Sequence, residues 1–284
     1  MTGRPVMAGL LLAMAGCVHP PPEDASAAPA SNERRLSVAE GWLQGTSVGR
    51  GTGLPVVLIH GLGGNHHFFD AQIEHLKGRR RVLAFDLRGC GESSLAPRKL
   101  YDIDTLARDL RAVLDVFADR AVLVGHSLGA HVIARFAEAN PKRAAALVLI
   151  DAPGDVRKPV TALAAELESR DDPGFRVAMD QFFEPLLQGA RPATREAVLA
   201  SLHATRREVL QGMVTSLGAW DPAPILARYP GPVVAIVGQD DPSALHPADP
   251  RIRVVLIPDS SHWPMLDQPE RVNAVLDDVL ATAR

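Results

Sequence analysis

The sequence predicts an α/β fold, a mostly parallel sheet flanked by helices, with a helical segment inserted late in the chain. Three observations carry that reading. From residue 36 onward, short apolar runs alternate with helix-length amphipathic stretches, the pattern of strand-helix-strand units. The apolar runs are continuous rather than alternating, as strands covered on both faces require. No such run interrupts residues 156 to 222, where helix formers dominate. At 284 residues, 46% of them hydrophobic, the chain can bury one such core and carry one inserted subdomain.

The N-terminus comes first. Arg4 precedes an apolar stretch from Val6 to Ala15, which ends in Met14-Ala15-Gly16-Cys17. A stretch of about ten residues is too short to span a bilayer as a helix, which takes about 20; it suits the core of an export signal over residues 1–16. The run into Cys17 resembles the lipobox of bacterial lipoproteins, with Met14 where that family usually has leucine. The resemblance implies lipidation of Cys17 and a membrane anchor, and Val18 after it is compatible with an outer membrane and a domain facing the periplasm. An ordinary secretory signal cleaved nearby is the alternative. Residues 17–35 then hold Pro20-Pro21-Pro22 followed by mostly Ala, Ser, Glu and Asp, too little apolar surface to repay ordering, so a tether is expected.

The domain proper is expected over residues 36–284. Residues 36 to 48 alternate weakly and predict an antiparallel hairpin at a sheet edge. Continuous strands are predicted at Val56 to Ile59, Val82 to Phe85, Ala121 to Val124, Ala145 to Ile150, Val233 to Val237 and Arg253 to Ile257. Between them, Ile103, Leu106, Leu110, Val113, Leu114 and Phe117 fall on one helical face. Val272, Val275, Leu276, Val279 and Leu280 do the same in a final helix that starts near Pro269. Residues 156–222 are expected to form a helical cap over the carboxyl edge of the sheet. Ordinary crossover helices are the alternative, although one crossover needs only about a dozen residues.

Composition excludes several classes. A net charge of −3 without a long basic run argues against nucleic acid, and Arg79-Arg80-Arg81 reads as a solvated loop. Only Cys90 remains in the domain besides Cys17, so the fold does not rely on a disulfide. His60, His66 and His67 lack a further ligand at metal spacing, and the Gly63-Gly64 pair lacks the lysine of a phosphate loop, so neither metal nor cofactor is expected.

The chemistry starts at Gly125-His126-Ser127-Leu128-Gly129, a G-x-S-x-G motif between a predicted strand and a predicted helix. That context lifts the Ser127 hydroxyl on a sharp turn, and side chains at 125 or 129 would collide with neighbouring backbone. A serine needs a base. Of ten histidines, His262 is best placed, in a short polar loop after a strand and before the last helix. Its orienting carboxylate comes from Asp241, Asp240 or Asp151, each following a strand; Asp241 is preferred, giving the order Ser, Asp, His.

These residues resemble the α/β-hydrolase superfamily over residues 36 to 283. The matching pieces are His60-Gly61-Leu62-Gly63-Gly64, Asp86-Leu87-Arg88-Gly89-Cys90-Gly91-Glu92-Ser93, the Ser127 turn, Gly238 to Asp241, Ser261-His262-Trp263-Pro264 and Gln268-Pro269-Glu270. In the family the acid is usually the third residue after the strand-ending glycine, which counted from Gly238 is Asp241. The family tends to have glycine before the histidine, where this chain has Ser261. The resemblance implies an oxyanion hole from the backbone N–H groups of Leu62 and Leu128, one such donor being worth about 3 kcal/mol in the transition state. It further implies a serine hydrolase of a small carboxylic ester, with carbon–carbon cleavage of a diketone as the alternative. A catalytically dead binding protein on this fold would not need Ser127, His262 and an acid together. Phe68, Phe69, Phe182, Phe183, Trp220 and Trp263 are candidate pocket walls, with core packing the plainer role for most.

Overall fold

The computed structural model describes residues 1–3, 32–96, 100–238 and 249–283. The chain divides into Met1–Ser31 and Asn32–Arg284 as separate units, and the second carries all the secondary structure of the described residues. Residues 4–16 of the expected signal, Cys17, most of the expected tether, Asp240 and Asp241 lie outside the described residues. Among the described helices none is long and apolar enough to cross a membrane.

One sheet takes the order β1-β2-β4-β3-β5-β6-β7-β8. Its strands are β1 (Glu33–Val38), β2 (Gly41–Val48), β3 (Val56–Ile59), β4 (Val82–Phe85), β5 (Ala121–His126), β6 (Ala144–Ile150), β7 (Val233–Val237) and β8 (Ile252–Leu256). The β1–β2 hairpin and the β2–β4 pair are antiparallel, and all other pairs are parallel. The parallel strands β3 to β7 are buried at every position, which is what their unbroken apolar runs predict.

Two expectations are corrected at the edges. β1 begins at Glu33, inside the stretch expected as tether, because the Glu33 carboxylate accepts from Gln44 Nε2 and Thr46 Oγ1, both at 2.7 Å, and clips the strand to β2. β8 reads in sequence as a strand covered on both faces, yet it is an edge strand with Val254 and Leu256 half-exposed. The apolar run reports the strand but not its place in the sheet.

Helices cover this sheet. They are α1 (Asp70–Leu76), α2 (Ile103–Phe117), α3 (Leu128–Ala139), α9 (Pro264–Asp267) and α10 (Pro269–Thr282), and a 3-10 turn at His66–Phe69 precedes α1. The stripe of α2 read from the sequence is buried in full, and Asp102 caps that helix by accepting from Thr105 N–H at 2.8 Å. Between β6 and β7 the described residues are helical without a strand: α4 (Arg157–Ser169), α5 (Asp172–Leu186), α6 (Pro192–Ala204), α7 (Arg207–Leu217) and α8 (Ala223–Arg228). Prolines in the first turns of α5 and α6 fit there because those N–H groups have no intrahelical acceptor.

Candidate active site

Ser127 stands between β5 and α3 with φ 50° and ψ −118°, a conformation that L-residues rarely adopt. The turn is tight enough that a Cβ on Gly125 would lie 2.4 Å from the backbone of Gly129. The loop after β3 presses on the same turn: a Cβ on Gly61 would lie 2.9 Å from Ser127 Cβ and 2.8 Å from His126 Nδ1. Glycine at 61 therefore brings Leu62 beside the serine. Leu128 opens α3, so its N–H is one of the first-turn donors without an intrahelical partner. Both positions expected to supply oxyanion donors thus flank Ser127.

His262 is nearly buried, and its Nδ1 lies 2.7 Å from Asp151 Oδ2. Among the described residues the carboxylate at His262 is that of Asp151, one of the three candidates, while the preferred Asp241 lies outside them. The sheet puts Asp151 there. β6 is the immediate neighbour of β5, with His126 paired to Ile150, so the next residues, Ser127 and Asp151, emerge side by side at the carboxyl edge. Ser127 N–H donates to Ile150 O at 2.9 Å and Asp151 N–H to Ile236 O at 2.7 Å, stitching three strand ends together. The second oxygen of Asp151 accepts from Gly238 N–H at 3.0 Å. Asp151 also holds a left-handed backbone, φ 43°.

Ser127, His262 and Leu62 share the wall of a cavity of about 200 Å³. Its remaining described lining is apolar apart from His126, with Val160, Phe182, Phe183, Leu186, Leu217 and Trp263 prominent, and no Asp, Glu, Lys or Arg contributes. Three of the aromatic residues expected as walls are therefore there. Phe68 and Phe69 are core residues instead, and Trp220 lies tilted against His131 with ring centroids 5.2 Å apart.

The other histidines are occupied elsewhere. Burial holds His126 well below its usual value, so it is neutral, and its Nε2–H donates to the carbonyl of His262 at 2.8 Å. Burial likewise lowers His131 to about 4. His60 accepts from Leu87 N–H at 2.9 Å, which joins the loops after β3 and β4. His66, weighed in the sequence only as a metal ligand, is buried against Asp86 at 2.8 Å. Burial opposes its charge, but the hydrogen bond and field of Asp86 prevail and raise it above 6.5. Cys90 is buried and its thiol pushed up by desolvation, the environment of an inert cysteine. No group of three or more His, Cys, Asp or Glu among the described residues could hold a metal ion.

Two further polar pairs were missed. Arg88 makes a buried fork with Asp109, Nε to Oδ2 and Nη2 to Oδ1, both at 2.6 Å. Ser261 is held through its N–H and hydroxyl by Asp267, at 2.8 and 2.5 Å. A carboxylate among apolar helix positions was the available signal for both, but only the fold supplies the partner.

Known proteins share this fold. A thermophilic esterase from Thermogutta terrifontis superposes with a TM-score of 0.74 at 26% identity, covering 88% of this chain and 98% of that one. A hydrolase from Pseudomonas aeruginosa gives 0.76 at 25% identity, covering 90% and 100%. The dihydrolipoyllysine-residue acetyltransferase component of an acetoin cleaving system from Pseudomonas putida is 28% identical over 246 residues, 78% of this chain. The chain spans 62% of that protein's length, and 40% and 30% of two other curated relatives. The model of the alpha/beta hydrolase family matches residues 56–275, and with the strand order and the turn at Ser127 this places the chain in the alpha/beta hydrolase family.

Proposed function

We propose that this enzyme hydrolyses uncharged carboxylic esters with an apolar acyl group, using Ser127 as nucleophile, His262 as base and Asp151 as the orienting acid. The observation that carries the reading is the 2.7 Å bond from His262 Nδ1 to buried Asp151, with His262 and Ser127 facing one apolar cavity. A carboxylate can only accept at Nδ1, so the imidazole proton sits there and Nε2 is left as the base. Ser127 Oγ attacks the acyl carbon as His262 takes its proton, and the N–H groups of Leu62 and Leu128 receive the oxyanion. His262 then protonates the departing alcohol, and water repeats the sequence on the acyl-enzyme.

The cavity argues for the substrate class. A charged acyl tail would be desolvated there without a partner among the described lining residues, a cost of several kcal/mol. The esterase from Thermogutta terrifontis supports the same class. The test is a panel of p-nitrophenyl esters of rising acyl length, a succinyl monoester and a diketone, with fluorophosphonate labelling of wild type and Ser127→Ala. Neutral esters turned over, and label confined to Ser127, are expected. Preference for the diketone or the succinyl ester would overturn the substrate class, and an active Ser127→Ala would overturn the mechanism.

We also propose that Cys17 carries lipid and tethers the domain to a bacterial membrane on its periplasmic face, on the strength of Val6 to Cys17 in the sequence. Expression of the full chain beside Cys17→Ser tests it. Wild type should partition into detergent with an N-terminal mass increment; two freely soluble forms would leave plain secretion.

A further inference from the structure

Asp267, the last residue of α9, is fully buried, and each of its oxygens has work. Oδ2 accepts from the N–H and the hydroxyl of Ser261, at 2.8 and 2.5 Å, and Ser261 immediately precedes the base. Oδ1 accepts from the N–H of Arg191, which is the N-cap of α6 in the helical insertion, at 2.9 Å. All three donors are uncharged. The hydroxyl of Ser261 exists because this chain has serine where the family tends to have glycine, and it also accepts from Trp263 N–H at 3.2 Å. A second link runs parallel to the first: His262 N–H donates to Leu186 O at the end of α5, 3.1 Å away. Phe183 of α5 meets Trp263 with ring centroids 5.8 Å apart.

The insertion therefore grips the His262 loop from both sides of the α5–α6 junction. We propose that Asp267 is a positioning residue whose carboxylate makes the seating of the insertion and the alignment of His262 one structural state. The inference rests on the serine-hydrolase reading above. A buried carboxylate that loses a donor is left undersolvated, so the clasp holds as a unit or reorganises as a unit. Displacing the α5–α6 junction then moves the base even when the substrate never reaches the insertion. A purely structural role, or a pocket role, predicts something else: altered KM for long acyl groups and an unchanged kcat for acetate.

Arg191 allows a clean test because its φ of −61° is the value a proline ring enforces. Arg191→Pro deletes the N–H donor to Asp267, and Arg191→Ala keeps it while losing the same side chain. The readouts are kcat and KM for p-nitrophenyl acetate, and the rate of fluorophosphonate labelling of Ser127, with melting curves as the check on folding. Relative to Arg191→Ala, the proline variant should lose about ten-fold in kcat and in labelling rate with little change in KM, the size expected for one hydrogen bond to a charged group. Ser261→Ala, which removes only a hydroxyl, should show the same split and carries the test if the proline variant does not fold. Folded variants labelled at the wild-type rate would overturn the inference alone. A wild type not labelled at Ser127 would overturn the serine-hydrolase reading, and the inference with it.

Discussion

Replacing Asp151 by asparagine is the most informative single change in this protein. The side chain keeps its size, and asparagine tolerates the left-handed backbone seen at this position, φ 43°, so the fold should survive. Its orientation is dictated by Gly238, whose N–H donates to Oδ1 at 3.0 Å. The amide oxygen must take that place, which turns the NH2 group toward His262 Nδ1, where Oδ2 now lies 2.7 Å away. An NH2 group can only donate, so His262 must offer Nδ1 as a lone pair and carry its proton on Nε2. That tautomer cannot accept a proton from Ser127. The expected loss is about 10⁴-fold in kcat, or about 5 kcal/mol of transition-state stabilisation. Steady-state hydrolysis of p-nitrophenyl butyrate by Asp151→Asn and, in parallel, Asp241→Asn measures it. Asp151→Asn within ten-fold of wild type, with Asp241→Asn crippled, would refute the reasoning and return the acid to the position preferred from sequence.

Other expectations follow from single contacts. Phe182→Ala enlarges the cavity without removing a fully buried ring, so the ratio of kcat/KM for octanoate over acetate esters should rise; an unchanged ratio would remove Phe182 from the acyl site. Arg88→Met strands the buried Asp109 carboxylate and should cost about 3–5 kcal/mol in urea unfolding, whereas a loss below about 1 kcal/mol would mean the pair contributes little. His66 is raised above 6.5 and Asp86 lowered below 3.8, with their mutual hydrogen bond overcoming desolvation at each. The stability advantage of wild type over His66→Gln should therefore be full between pH 3.8 and 6.5. It should fade as pH rises through the elevated value of His66, and fade again as pH falls through the depressed value of Asp86, and a pH-independent difference would refute the assignment.

Much of the fold was legible because its core strands are buried on both faces, which an unbroken run such as Val56 to Ile59 suits. The turn at Ser127 was legible from its glycines: Gly125 is demanded by the backbone of Gly129 four residues on, and Gly129 by the backbone of Ile59 and His60 at the end of the neighbouring strand β3. What stayed hidden depends on neighbours far apart in sequence. β8 has the apolar run of a central strand and sits at the edge. His66 and Asp86 are 20 residues apart, and Ser261 looked like a departure from pattern until Asp267 appeared beneath it.

The acid shows where such reading stops. Chain order cannot separate Asp151 from Asp241, since both lie between Ser127 and His262 in sequence. What the fold adds is the placement of Asp151: β6 lies beside β5, so the residue after β6 emerges next to the serine. The same adjacency accounts for the two strained backbones, at Ser127 and Asp151. Each is the first residue past a buried parallel strand, where the chain must leave the sheet at once and still keep its N–H on the neighbouring strand. A relaxed turn would carry either side chain away from the carboxyl edge. Positive φ at both sites is thus the conformational cost of presenting two polar side chains at one carboxyl edge of the sheet, and the surrounding strands, bonded across three neighbours, are rigid enough to sustain it.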